Sequence, residues 1–254
     1  MKITFLGSGS AFCLKNYQSN ILIENNGKRL LFDCGTDIRW SLNEVGLTAL
    51  DIDAVYISHL HSDHIGGLEY LAFYTYFSKK RIKLFGNSDI IKNLWNKCLS
   101  GGLESLQTID ADLNTYFDVE KVSTNKSFEF SDIDFKLVQT IHVIADYSIV
   151  KSYGLMFSVY IPTTKGVQTI FITSDTQFAP SQIKDFINIS DITFHDCEIG
   201  FESRVHAHYN DLKLLPSKFK EKIWLYHYND EALPDAQKDG FLGFVKKGQV
   251  FEFQ

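Results

Sequence analysis

The chain carries a cluster of potential metal ligands in one short stretch, His59-Leu60-His61-Ser62-Asp63-His64. It follows the apolar run 54–57, which is typical of a buried strand. The pleat of a strand would place His59 and His61 on one face, and the following turn would bring Asp63 and His64 beside them. Imidazoles with one carboxylate suit zinc and its first-row neighbours, whereas magnesium or calcium would need mostly oxygens. The stretch therefore predicts a transition-metal site, with a histidine-rich surface turn as the alternative.

The elements that must position these ligands follow from the hydrophobic periodicity. Apolar and alternating runs predict strands over 2–6, 20–24, 29–33, 53–58, 82–85, 133–142, 155–161, 168–173, 191–195, 222–227 and 249–253. Helical spacing predicts helices over 37–45, 67–78, 88–99, 181–187 and 209–215. Strands that alternate with helices indicate the α/β class, and we expect one domain over 1–254.

Composition adds limits to what the chain can do. With 254 residues and 44% apolar content, it can bury a full core. No N-terminal signal pattern and no run of membrane-spanning length is seen, so we expect a cytoplasmic protein without membrane contact. The four cysteines lack CxxC spacing, which fits reduced thiols. The net charge of −6 and the single basic run at 79–83 argue against a long nucleic acid and favour a small charged substrate.

A series of motifs, in order, resembles the metallo-β-lactamase superfamily of binuclear metallohydrolases. Besides the cluster at 59–64, they are Gly7-Ser8-Gly9-Ser10 after the first strand, the strand ending in Asp33, the histidine of Thr140-Ile141-His142, the aspartate of Ser174-Asp175-Thr176, and the histidine of Tyr226-His227-Tyr228. The resemblance implies a four-layer αββα sandwich. It also implies that the metals lie at one edge, where the loops that follow the strands converge.

The resemblance further implies two sets of metal ligands joined by a bridging aspartate. The sets are His59, His61 and His142 for one ion, Asp63, His64 and His227 for the other, and Asp175 between them. Two divalent ions are expected, with Zn²⁺ preferred and Mn²⁺ as the alternative. Taken singly, His142 and His227 could be core histidines and Asp175 a turn residue, but all of these positions together fit the binuclear pattern.

A second polar region, 195–198 together with His206-Ala207-His208, resembles the part of RNase Z-like members that places a histidine over the leaving group. Alignment of Ala207-His208 with that motif selects His208 as the general acid, with His206 as the fallback. Asp196 is expected to orient His208 through the free ring nitrogen, and Asp63 to orient the nucleophile. Helix capping or salt bridging is the alternative for Asp196.

The same fold hosts many reactions, so details must choose among them. RNase Z grips tRNA with a long arm between the third histidine and the bridging aspartate, whereas 143–174 predicts only a turn and two strands. The nearest resemblance is to the phage-type anti-Pycsar phosphodiesterases, which destroy cyclic pyrimidine nucleotide signals of bacterial defence and also accept cyclic purine nucleotides. It implies hydrolysis of the 3′,5′-cyclic forms of CMP, UMP, AMP and GMP to 5′-monophosphates, in the host cytoplasm if the chain is phage-encoded.

Three alternatives stay open at this point: RNase Z-type tRNA 3′-processing, a lactonase or arylsulfatase of the same fold, and a metal-free scaffold. For the nucleoside, the candidate contacts are Tyr116, Tyr147 and Tyr153, since a tyrosine can stack on a base. Ordinary packing is the alternative for Tyr153. Segment 99–118 is expected to be a lid or an arm that reaches into a second subunit of a homodimer.

Overall fold

The computed structural model describes residues 1–254 and contains sixteen strands. They are β1 (Lys2–Phe5), β2 (Ile21–Asn25), β3 (Lys28–Phe32), β4 (Ala54–Ile57), β5 (Ile82–Asn87), β6 (Ser105–Leu106), β7 (Ile109–Asp110), β8 (Phe117–Val122), β9 (Ser127–Phe130), β10 (Ile133–Ala145), β11 (Ser148–Ile161), β12 (Gly166–Ile172), β13 (Ile192–Asp196), β14 (Ile223–Tyr226), β15 (Gly243–Phe244) and β16 (Val250–Glu252). All eleven predicted strands are confirmed, and β11 begins seven residues before its predicted start at 155.

Nine α-helices accompany the strands. They are α1 (Ile38–Glu44), α2 (Ser62–Ile65), α3 (Leu68–Phe77), α4 (Ser88–Asn93), α5 (Ser100–Leu103), α6 (Leu113–Tyr116), α7 (Pro180–Ile189), α8 (Tyr209–Leu212) and α9 (Ser217–Lys220). The predicted helix over 88–99 is helical throughout, but it changes from α4 to a π-helical segment at Leu94–Leu99. The predicted helix over 209–215 ends at Leu212. None of the helices is long and apolar enough to cross a bilayer.

The strands form two seven-stranded sheets and one small hairpin of β6 and β7. The first sheet has the order β16-β1-β2-β3-β4-β5-β8, and the second has the order β15-β14-β13-β12-β11-β10-β9. Aromatic side chains from both sheets pack face to face, with the Phe128 ring 4.2 Å from Phe85 and 5.2 Å from Phe135. Such packing between two sheets removes a large apolar area from water and is the main stabilising contribution to the fold.

Helices cover the outer face of each sheet. Buried leucines of α1 and α3, such as Leu42 and Leu71, belong to the large core cluster, which includes residues of the first sheet and of the interior between the sheets. Ile183 of α7 and Leu212 of α8 belong to a separate core cluster with residues of the second sheet. The architecture is therefore the predicted αββα sandwich.

Strand direction brings the chemically important loops to one edge of the sandwich. In the first sheet β3 and β4 are parallel, and in the second sheet β12, β13 and β14 are parallel. Strand β10 runs in the same direction as β12, because each of them is antiparallel to β11. The residues that follow these strands therefore meet where the two sheets end. Gly35 permits the close packing of this region, since a Cβ atom there would lie 2.2 Å from the carbonyl oxygen of Asp63.

Candidate metal centre

The histidine cluster leaves β4 and turns directly into the short helix α2. His61 stands at the N-cap position of that helix, with extended backbone angles, so Asp63 and His64 occupy its first turn. His59, Asp63 and His64 are all buried. The strand, the cap and the first helical turn thus direct four side chains into one small volume, as the sequence predicts.

The first ligand set consists of three imidazole nitrogens and one carboxylate oxygen. Nε2 of His59 and Nε2 of His142 lie 3.2 and 2.9 Å from Nδ1 of His61. The same two Nε2 atoms lie 3.7 and 3.6 Å from Oδ2 of Asp175. These separations bracket the edge of a tetrahedron around an ion with zinc-like bond lengths, which is about 3.3 Å.

Hydrogen bonds on the far side of each ring explain why these nitrogens face one another. Nδ1 of His142 donates to the carbonyl oxygen of Val205 at 2.9 Å, and Nδ1 of His59 lies 3.0 Å from the hydroxyl of Ser58. Each ring then has a bare lone pair on Nε2, and both lone pairs point at the single Nδ1 of His61. One proton on His61 could satisfy only one of them, so the arrangement calls for a cation.

The second ligand set is more regular. Nε2 of His64 lies 3.2 Å from Oδ2 of Asp63 and 3.3 Å from Oδ1 of Asp175. Nε2 of His227 lies 3.4 and 3.5 Å from the same two oxygens. All four values match the tetrahedral edge of about 3.3 Å expected for zinc. Asp175 directs Oδ2 toward the first set and Oδ1 toward the second, so one carboxylate faces both sets.

Unpartnered polar atoms support the presence of ions at this centre. Nε2 of His64 and Oδ1 of Asp175 are buried and have no hydrogen-bond partner. Buried polar atoms are nearly always satisfied in folded proteins, so atoms that face each other without a partner require an explanation. A divalent ion bound by these donors would satisfy them, and the residues therefore fit the cofactor that the sequence predicts.

The charges of the centre also favour cations. Burial alone would raise the pKa of Asp175, but the charges of His227, His64 and His59 outweigh it and hold this pKa well below its ordinary value. Burial is the largest influence on His59, and with the charge of His64 it lowers the pKa well below the usual range. Asp175 is therefore ionised and His59 neutral, which are the forms that bind metals. Burial would lower the pKa of His64 and His227, but the charge of Asp175 outweighs it and raises the pKa of both well above the ordinary value, so bound ions would replace protons on these two rings.

Irregular backbone places two of these ligands. The pairing of β10 with β11 shifts register between Ile141 and Val143, and His142 is the extra residue of this bulge, which turns its ring toward the centre. His227 has a φ of 66°, in the left-handed region, directly after β14. Such conformations cost on the order of 1–3 kcal/mol in non-glycine residues and persist where function requires the geometry.

The structure places the two candidate general acids, His208 and His206, in different surroundings. His208 caps α8: its Nδ1 accepts the backbone N–H of Asn210, and its Nε2 lies 3.2 Å from the carbonyl oxygen of Gly200. His206 instead faces the metal centre, with its ring 5.0 Å from that of His142. Because alternate residues of an extended segment point in opposite directions, only one of the two histidines can reach the site.

Asp196 also has a different partner from the one expected. Nδ1 of His206 donates to Oδ2 of Asp196 at 2.8 Å, so Asp196 orients His206 and not His208. Its other oxygen lies 3.4 Å from Nδ1 of His227. Burial would lower the pKa of His206, but the charges of Asp196 and Asp175 raise it above its ordinary value. His206 is therefore suited to carry a proton beside the centre.

The three tyrosines predicted to contact the nucleoside differ in their exposure to solvent. Tyr116 is buried, its hydroxyl donates to the carbonyl oxygen of Leu103, and it precedes β8 at the edge opposite the metal centre. Tyr153 is packed in the core between the sheets, so the packing alternative holds for it. Tyr147 is fully exposed in the turn between β10 and β11, on the hairpin that carries His142. Of these three tyrosines, only Tyr147 exposes its ring and is free to contact a ligand.

Segment 99–118 is mostly part of the folded body. Leu103, Leu113 and Tyr116 are buried, and only the hairpin of β6 and β7 with its flanking residues, 104–110, is largely exposed. Within segment 99–118, this hairpin is therefore the part that could act as a lid or arm.

One network was not predicted from the sequence. The buried carboxylate of Asp33 contacts Ser58 and His64, which lie far from it in the chain but beside it in the fold. The acidic end of a buried strand was the only signal for its role.

Comparison with known proteins assigns a family to this chain. The family profile described as "Anti-Pycsar protein Apyc1" matches residues 1–251. An anti-Pycsar protein Apyc1 of Paenibacillus xerothermodurans is 32% identical over 257 residues, covering 100% of this chain and 98% of the relative. One from Bacillus phage vB_BveM-Goe7 is 32% identical over 256 residues, covering 98% of this chain and 96% of the relative.

A solved structure agrees on the fold. The metallo-β-lactamase fold protein YhfI from Bacillus subtilis superposes with a TM-score of 0.74 at 19% identity, and the alignment covers 98% of both chains. The family match, the shared fold and the two ligand sets give one consistent assignment. The chain is a metal-dependent hydrolase of the metallo-β-lactamase fold, and it belongs to the anti-Pycsar Apyc1 family.

Proposed function

We propose that this protein is a binuclear phosphodiesterase that hydrolyses 3′,5′-cyclic mononucleotides to 5′-monophosphates. The observation that carries the proposal is the pair of near-tetrahedral ligand sets that share Asp175. Two divalent ions, Zn²⁺ by the geometry and Mn²⁺ as the alternative, would polarise the phosphoryl group and supply a nucleophile at neutral pH. The ligands would be His59, His61 and His142 on one side, Asp63, His64 and His227 on the other, and Asp175 between them. This intact donor set argues against a metal-free scaffold.

Side chains beside the metals would donate the proton to the leaving group and orient the nucleophile. His206 holds its Nδ1–H against Asp196, so its Nε2 is the atom available to give a proton to the departing 3′-oxygen. Asp196 is a positioning residue, because it fixes this ring and also lies against His227. Asp63 is the carboxylate suited to orient the attacking nucleophile, since its Oδ2 faces both His64 and His227.

Several features favour a small substrate over tRNA. The region 143–174 forms only the β10–β11 hairpin, β12 and their connections, so it holds no long arm. The net charge of −6 disfavours the many phosphate contacts that supply affinity for long nucleic acids. The relatives' name, anti-Pycsar, supports a cyclic nucleotide signal as the target. These relatives come from a bacterium and from a phage, so we propose removal of cyclic-nucleotide immune signals without assigning the chain to either source.

A substrate panel tests this proposal. Metal-loaded protein should convert the cyclic forms of CMP, UMP, AMP and GMP to 5′-monophosphates, as followed by mass spectrometry. Both pyrimidine and purine forms should react, because ions held at the centre would bind the phosphate and ribose oxygens, which all four substrates share. Turnover should depend mildly on salt, since one small phosphate is bound, whereas tRNA binding would weaken steeply. Efficient trimming of a pre-tRNA with all cyclic nucleotides left intact would replace this proposal with RNase Z activity, and cleavage of a lactone or aryl sulfate alone would replace it with those reactions.

Tyr147 can be tested in the same panel. A base that stacks on its exposed ring would gain roughly 1–3 kcal/mol, so Tyr147→Ala should raise KM for cyclic nucleotides while leaving metal content unchanged. Tyr160→Ala is the matched control, since Tyr160 is also exposed but lies near the other end of β11. If both variants behave like the wild type, Tyr147 does not contact the substrate.

We also propose that the protein is a homodimer. A groove of about 810 Å³ between α1 and α3 is lined by Ile38, Tyr70, Phe73 and Phe77, and Phe77 is 70% exposed. An exposed aromatic surface of this kind is typical of a protein interface. Light scattering should give twice the chain mass of 29.1 kDa, with Phe77→Asp shifting it toward the monomer. Val167→Asp, at a comparably exposed apolar side chain, should leave the mass unchanged. A wild-type mass of one chain would contradict the proposal.

A further inference from the structure

One buried carboxylate contacts a histidine of the second ligand set and is linked through a serine to a histidine of the first. Oδ1 of Asp33 accepts the backbone N–H of Ser58 at 2.8 Å, and Oδ2 accepts the hydroxyl of Ser58 at 2.7 Å. The same Oδ2 lies 2.7 Å from Nδ1 of His64. The hydroxyl oxygen of Ser58 in turn lies 3.0 Å from Nδ1 of His59. Asp33 and Ser58 are both buried, so bulk water does not compete for these contacts.

With Asp33 ionised, the donors and acceptors in this network admit one consistent assignment. A serine hydroxyl has a single proton, and Ser58 gives it to the carboxylate, so its oxygen must accept from Nδ1 of His59. His64 likewise donates its Nδ1–H to Asp33. Both rings therefore keep a proton on Nδ1, and Nε2 is the atom that each ring directs toward its ligand set. Hydrogen bonds of this kind fix the tautomer and orientation of histidines that bind metals.

We infer that Asp33 is a positioning residue for both metal sites at once, acting on His64 directly and on His59 through Ser58. This inference rests on the binuclear centre proposed above. It predicts an asymmetry between the two members of the network. Loss of the Ser58 hydroxyl removes the acceptor for His59 alone, because His64 keeps its own bond to Asp33. Loss of the carboxylate weakens the support of both rings.

Metal titration can detect this asymmetry without any substrate. The variants are Ser58→Ala and Asp33→Asn, with Ser152→Ala as the control, since Ser152 is a buried serine whose hydroxyl has no partner. Metal-free forms of each protein would be titrated with Zn²⁺ against a chromophoric chelator, and with Co²⁺ while its visible absorption is recorded. The two stepwise dissociation constants would be compared with those of the wild type, and thermal unfolding would verify that each variant is folded.

Loss of an outer partner of a metal-bound histidine typically weakens metal binding by about 10–100-fold. We expect Ser58→Ala to weaken one of the two equivalents by this factor and to alter the Co²⁺ spectrum of that equivalent alone. Asp33→Asn should weaken both equivalents, because an amide cannot accept from Ser58 and His64 as the carboxylate does. Ser152→Ala should titrate like the wild type.

The outcomes separate this inference from the proposed function. A wild type that binds fewer than two ions would contradict the binuclear centre itself. A wild type that binds two ions, with Ser58→Ala unchanged or with both equivalents weakened equally by it, would overturn the inference alone. Should Asp33→Asn fail to fold, the one-site effect of Ser58→Ala still decides, since that change removes only a buried hydroxyl oxygen and its proton.

Discussion

Replacing Asp175 with alanine should abolish hydrolysis of cyclic nucleotides and sharply reduce metal content. Its two oxygens face opposite ligand sets: Oδ2 lies 3.6 Å from Nε2 of His142, and Oδ1 lies 3.3 Å from Nε2 of His64. One substitution therefore removes a ligand from each site and also removes the charge that offsets two cations. It leaves several imidazoles close together with no carboxylate between them. Elemental analysis of the purified variant, beside its turnover, measures both effects.

The matched control for this change is Asp185→Ala, which removes an exposed carboxylate from α7. It should retain two metal equivalents and full turnover. His61→Ala adds a second test, because it removes a ligand from the first set only. It should lose turnover while retaining more metal than Asp175→Ala. Full activity in metal-depleted Asp175→Ala would contradict the assignment of this site to the reaction.

The parts of the structure that the sequence predicts well are those with local signals. The strand 54–57 and the ligands that follow it lie in one continuous stretch, so the turn into α2 brings them into one region, where contacts with Asp33 and Ser58 orient two of the rings. Strand β4 is buried at all of its residues, and its continuous apolar run is typical of strands covered on both faces.

Elements with mixed polarity could not be predicted in the same way. Strand β8 contains Asp118, Glu120 and Lys121 at an edge of the first sheet, and pairing with β5 holds it in place. The first residues of β11, 148–151, are exposed and extend beyond the pairing with β12. Their strand character comes from long-range hydrogen bonds and leaves little pattern in the sequence.

The proposal of His206 in place of His208 rests on geometry that motif alignment does not contain. The two histidines are two residues apart, and the backbone around them decides which one faces the metals. Two backbone hydrogen bonds of Glu198 fix the orientation of residues 206–208. Its N–H donates to the carbonyl oxygen of Ala207, and its carbonyl oxygen accepts the N–H of Tyr209. This register and the bond from His206 to Asp196 depend on residues at the end of β13 and just after it, which a motif of three residues does not contain.

His206→Ala should lower turnover of cyclic nucleotides by about 10²–10⁴, the usual cost of losing a general acid. Metal content should stay near that of the wild type, because His206 lies outside the two sets that share Asp175. A p-nitrophenyl phosphodiester should largely escape the penalty, since its leaving group departs without a proton. His208→Ala is the control: it removes only a cap of α8 and should leave turnover of both substrates nearly unchanged.

The pattern across the two substrates identifies the role of His206. Equal losses of turnover on both substrates, together with loss of metal, would make His206 a metal ligand. Its Nδ1 lies 3.8 Å from Oδ2 of Asp175, and its ring lies in one cluster with His227 and Asp196.

Asp196→Asn provides an independent test of the role of His206. It should reproduce the selective loss of His206→Ala, because the amide no longer supports a protonated ring, and it should additionally weaken metal binding through His227, whose Nδ1 lies 3.4 Å from Oδ1 of Asp196. A larger loss of turnover in His208→Ala than in His206→Ala would identify His208 as the proton donor.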